Sequence, residues 1–346
     1  MPMTDQDRTL GDAIDWKLAA GIGARLTRPG PAMSQYTAET VAAELASAAD
    51  RAEPPVRELT GLGDGRDVPP AAVVDRSGWV HAAARSMADL TGSGPADGRW
   101  VGKPAGVQAG AMLAYLSSAV LGQYDPFSRS LLLVAPNVVA VERALRVPTA
   151  DFRLWVCLHE VTHRVQFAEA PWMADLMREA AAELGRTAEE SFTDLAGRIT
   201  GVLRDRRPGE EKPMAERGVL GLVRAVQSEP QRAALDRMLA LGTVLEGHAD
   251  HVMDAVGPTV VPAVAQIRRA FDNRRRRAVN PVHRIIRALL GMDAKMAQYV
   301  QGKKFVDTVV ERAGMARFNV VWSGPDAMPT LAEIDDPHAW IARVLG

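Results

Sequence analysis

Residues 154–167 read LWVCLHEVTHRVQF, and the reading of the whole chain starts from whether this stretch is one helix. Leu154, Trp155, Val156, Cys157, Leu158, Val161, Val165 and Phe167 are apolar nearly all the way round a helical cylinder, the pattern of a buried helix. Thr149 is placed to cap it, Asp151 stands in the first turn where the helix dipole favours an anion, and Pro171 stops it. The pattern therefore predicts a helix over 151–169. On that helix His159 and His163 are four residues apart and project about 40° from each other, so two imidazoles can hold one metal ion. Glu160 points in a neighbouring direction, from which it can serve a metal-bound water as general base without ligating. Two imidazoles and a carboxylate buried without partners would be costly, and a shared metal removes the cost. The competing reading makes the histidines satisfied core residues and leaves Glu160 on the surface.

A catalytic zinc takes three protein ligands and keeps a fourth position for water. Downstream, residues 243–254 read TVLEGHADHVMD. On a continuous helix Glu246 and Asp250 share a face beside the apolar stripe of Leu245, Ala249, Val252, Met253 and Val256, while His251 falls roughly opposite and His248 at the far margin. Glu246 is thus the best-placed third ligand. A break at Gly247 would instead turn His248 toward the metal.

Working outward, 12–26, 38–52 (capped by Thr37), 78–90, 107–121 and 137–145 read as helices, with short strands at 72–75 and in LLLVAP, 131–136. Helical patterns follow at 173–184, 191–203 and 235–256, the last with a possible break at Gly242, and continue to about Gly314; RDRRPGEEKP, 204–213, reads as an exposed loop. A final short helix is expected at 337–344. The fold class implied is mainly α with a small β-sheet (α+β): an N-terminal helical region, 1–125, and a catalytic region, 126–346, carrying both motifs. LLLVAP, close to the 151–169 helix, is the strand an extended substrate could pair with.

The 346 residues are 47% hydrophobic and 24% charged, which excludes global disorder, and 41 Lys plus Arg against 42 Asp plus Glu gives no reason to expect a nucleic-acid or membrane-surface role. Cys157 is the single cysteine, so an intrachain disulfide and a cysteine-rich metal site are excluded. The N-terminus lacks the pattern of a signal peptide and no window reaches eighteen uninterrupted apolar residues, so a cytoplasmic protein is expected. Arg274–Arg277 reads as a solvated helix end, and Tyr124, His283 and Tyr299 are the candidates for stabilising an oxyanion.

With VRELTGL (56–62), WVCLHEVTHRVQF (155–167), LEGHADHVMDAVG (245–257), LLGMDAKMAQYVQGKKFV (289–306) and FNVVW (318–322), the chain resembles an actinobacterial family of zinc-dependent metallopeptidases of zincin-like fold, some members of which carry a deazaflavin-coenzyme label. The resemblance runs over most of the chain. Glu-x-x-x-Asp downstream of His-Glu-x-x-His is similar to the gluzincin arrangement. It implies a zincin-like core with extra helices, Zn2+ on His159, His163 and Glu246, Asp250 behind them, and hydrolysis of a peptide or protein substrate. The alternatives are hydrolysis of a small-molecule amide and a non-catalytic zinc-containing binding protein; an intact Glu160 argues against the latter.

Overall fold

The computed structural model describes residues 13–63, 69–92, 102–185, 228–276 and 292–346, with the side chains of 274–276 and 292–300 left aside. They fall into two compact units, one drawn from Met1–Arg178 and Val252–Arg276, the other from Glu179–His251 and Arg277–Gly346. Both are helical except for one small mixed sheet, as the sequence pattern predicts.

In the first unit the sheet has the order β1 (Ala72–Val74), β3 (Ser130–Val134), β2 (Gly122–Asp125), with β1 parallel and β2 antiparallel to β3. The run of leucines forms the middle strand because a strand covered on both faces needs no polar alternation; Leu131, Leu132, Leu133 and Val134 are all buried. Both edges of β3 are therefore taken. The expectation that LLLVAP could pair with substrate is corrected: the sheet's free edges belong to β1 and β2, and Ala135 and Pro136 already start the next helix, α5 (Ala135–Leu145), where a missing N–H costs nothing.

Helices α1 (Trp16–Leu26), α2 (Gln35–Thr60), α3 (Arg76–Thr91) and α4 (Lys103–Leu116) precede the sheet's antiparallel pair. α2 starts at the Ser34 cap, not at Thr37, and runs through Pro54 and Pro55 to a left-handed Gly61. Its buried line of Val41, Leu45, Ala48, Ala52 and Val56 continues past the prolines, and that burial outweighs two lost donors. On one face of the sheet, Trp79 and Ser86 of α3 donate to Gln123 and Asp125 of β2 at 2.8 and 2.9 Å. The other face meets α6 (Thr149–Glu169), where the Tyr124 and Phe167 rings lie 5.8 Å apart.

α6 is buried as its pattern predicts, but it also buries Arg153 and Arg164, each on a carboxylate: Arg153 with Glu142 at 2.7 Å and with Glu44, Arg164 with Glu53. Pro148 occupies the cap position without a side-chain bond, and the Asp151 carboxylate accepts the Ala263 N–H at 2.7 Å. α7 (Trp172–Gly185) follows.

α8 (Glu229–Ala255) is one unbroken helix through Gly242 and Gly247. In the second unit it meets α10 (Met292–Ala313), which follows α9 (Val264–Arg276); a Cβ on Gly247 would stand 2.2 Å from the carbonyl carbon of Gly302. Glycine is there for close helix approach. The rest of that unit's core gathers Phe305, Phe318, Trp322 and Trp340. The helix expected at 191–203, the loop at 204–213, Arg277 and His283 lie outside the described residues, as does the side chain of Tyr299. Among the described residues no helix is long and apolar enough to cross a membrane.

Candidate metal centre

His159 and His163 project from one side of α6, and their rings lie nearly perpendicular with centroids 4.6 Å apart. His163 Nδ1 meets Gln166 Oε1 at 2.8 Å. An amide oxygen only accepts, so Nδ1 carries the proton and Nε2 presents a lone pair. His159 Nδ1 meets the Met253 sulfur at 3.3 Å, and because a thioether also only accepts, His159 takes the same tautomer. The two Nε2 atoms are 3.1 Å apart. In that tautomer both nitrogens can turn a lone pair to one shared cation. At zinc–nitrogen distances near 2.05 Å, tetrahedral ligation puts two nitrogens about 3.3 Å apart.

Met253 lies seven residues after Glu246 on continuous α8, hence about 20° from it on the same face. Ligand atoms of His159, His163 and Glu246 all lie within 4.8 Å of one another. Two neutral imidazoles and one carboxylate are the donor set of a catalytic zinc, with a coordination position left over. The residues present therefore fit the metal.

Glu160 is 6% exposed and faces β2: a Cβ on Gly122 would lie 2.9 Å from Glu160 Oε1. Asp250, also buried, stands one turn after Glu246. His248 goes elsewhere. It is fully buried, stacked 5.3 Å from Phe318 and edge-on 5.4 Å from Trp322, and unbroken α8 removes the geometry in which it would have replaced Glu246. His251 pairs with Asp307 at 2.7 Å, and Lys303 reaches the other Asp307 oxygen at 2.6 Å. Of the oxyanion candidates, Tyr124 is described: it shares a face of β2 with Gly122, and burial pushes its hydroxyl above the usual pKa.

The sequence reading missed Gln166, Met253 and Gly122. Gln166 is one turn from His163 and Met253 two turns from Glu246, so helical geometry could have flagged both. Gly122 carries no local signal, because only the sheet brings it to α6.

One further backbone feature bears on substrate. Val134 N–H donates to Leu121 O at 2.8 Å, and alternation along the β2–β3 register then turns the N–H and C=O of Gly122 and Tyr124 away from β3. Among the described residues no strand pairs with that side.

A family model described as zincin-like metallopeptidase matches residues 14–341. A solved structure of a candidate hydrolase with a novel fold, from Chloroflexus aurantiacus, is similar at 30% identity over 95% of this chain and 98% of that one, with a TM-score of 0.67. None of the curated proteins compared matches.

Proposed function

The chain belongs to the zincin-like metallopeptidase family, and from that premise we propose that it is a zinc-dependent hydrolase that cleaves peptide bonds. The observation that carries the reading is the gathering of His159, His163 and Glu246 ligand atoms within 4.8 Å, with Glu160 next to the first of them in the chain. His159 and His163 would hold the ion through Nε2 and Glu246 through its carboxylate, with Gln166 and Met253 keeping the imidazoles in the ligating tautomer. Zinc, when bound, polarises the scissile carbonyl and acidifies the attacking water. Glu160 takes the proton of that water on its carboxylate and passes it to the leaving amine. Burial of Glu160 keeps bulk water from competing for it.

The open side of β2 favours a peptide over a compact amide. Gly122 and Tyr124 offer main-chain donors and acceptors to an extended chain, and that strand lies against Glu160.

Digestion of a peptide library by zinc-loaded protein tests the reading. Glu160→Gln should retain the metal and lose cleavage by about 10² to 10⁴. Zinc lost with that carboxylate would make Glu160 a ligand. Cleavage undiminished in the variant would remove it from the chemistry, and turnover of small amides alone would replace the peptide substrate.

A further inference from the structure

Gly122 opens β2, and its register opposite Leu133 fixes where its backbone lies. A Cβ at this position would stand 2.6 Å from Glu160 Cγ, 2.8 Å from Cδ and 2.9 Å from Oε1. Non-bonded carbons sit at about 3.5–4.0 Å, so each contact is an overlap. Gly122 is not among the glycines of positive φ, so its backbone conformation does not ask for glycine. The demand comes from the carboxylate side chain alone.

We infer that Gly122 is a positioning residue: its missing side chain is the space in which the Glu160 carboxylate is held. The inference rests on the reading of Glu160 as general base. Strand and helix are both anchored, β2 by its ladder to β3 and α6 by burial along its length. The soft coordinate between them is the Glu160 side chain. A methyl on residue 122 would be accommodated by rotating that chain, which leaves the fold standing and moves the base. Since Gly122 also turns its N–H and C=O to the free edge, one residue would set both the substrate strand and the base that serves it.

The test is Gly122→Ala in zinc-loaded protein. Zinc content, melting temperature and KM should stay near wild type while kcat falls about 100-fold, the usual consequence of misplacing a reacting group by about 1 Å. In a Glu160→Gln background the same alanine should change kcat no further, because nothing remains to misplace. A 100-fold loss that persists there overturns the inference. A second readout needs no turnover: in protein with ¹³C-labelled glutamate, the carboxyl resonance that vanishes in Glu160→Gln should be displaced by Gly122→Ala. An unmoved resonance overturns the inference even if no hydrolysis is ever found, whereas a moved one in an inactive protein leaves the contact standing and sinks the hydrolase reading. Should Gly122→Ala melt low, the loss should disappear when Glu160→Ala removes the overlapped atoms; a loss that remains overturns it too.

Discussion

Glu246 and His248 are two positions apart and have different fates. Glu246 joins the imidazoles of α6, and His248 fills an aromatic pocket against Phe318 and Trp322. Glu246→Ala should therefore remove most of the zinc, whereas His248→Ala should keep it and lose roughly 2–4 kcal/mol of stability to the cavity. Metal analysis beside thermal melts separates the two; zinc lost from the His248 variant would return the third ligand to histidine. Cys157 offers a contrasting case. Burial pushes its thiol far above the ordinary range, so thiol reagents should modify it only after unfolding, and rapid labelling of the native chain would contradict its placement. The grouping of His159, His163 and Glu246 was legible to the extent that helical periodicity puts the two histidines on one side of α6 and turns Glu246, not His248, to the face beside the apolar stripe of α8. Gly122 was not, because its meeting with Glu160 depends on a strand register that no local pattern encodes.

The elements were legible to the extent that their signals are local. Pro54-Pro55, before which the reading ends the helix at 52, and Gly247, at which it allows a break as the alternative, are both places where packing overrules a local preference. α2 passes the prolines because its buried face continues to Val56. α8 passes Gly247 because that glycine, with Gly302 of α10, lets two helices cross at backbone distance; a Cβ on Gly302 would stand 2.1 Å from the Thr243 carbonyl oxygen. Here the obstacle is backbone, which cannot rotate away as a side chain can. Gly247→Ala should accordingly cost about 1–3 kcal/mol or more by overpacking, read as a lowered denaturation midpoint. An unchanged midpoint would mean that the helices do not approach this closely.

Taken whole, the described chain stakes part of its acid tolerance on the second unit. The Arg343 guanidinium, at 2.5 and 2.9 Å, holds the Glu333 carboxyl below its ordinary value of 4.5. Asp307 is raised by burial but lowered more by the hydrogen bonds and charges of His251 and Lys303 together, and ends below 3.8. A carboxyl depressed in the folded state adds stability that is complete above its unfolded value and is lost as pH falls through the folded one. Melting temperature should thus decline between about pH 5 and pH 3, and less steeply in Arg343→Ala, where part of the contribution is already gone. Equal slopes would assign the acid limb to other groups. The sheet carries a last consequence. The amides of Leu132, Leu133 and Val134 in β3 point into a ladder on one side or the other, whereas those of Gly122 and Tyr124 point out of it. In deuterated water the β3 amides should exchange slowest in the sheet and those two amides quickly, becoming slow only when an extended chain lies along β2. Deuterium uptake at two amides would then report substrate docking before any bond is cut.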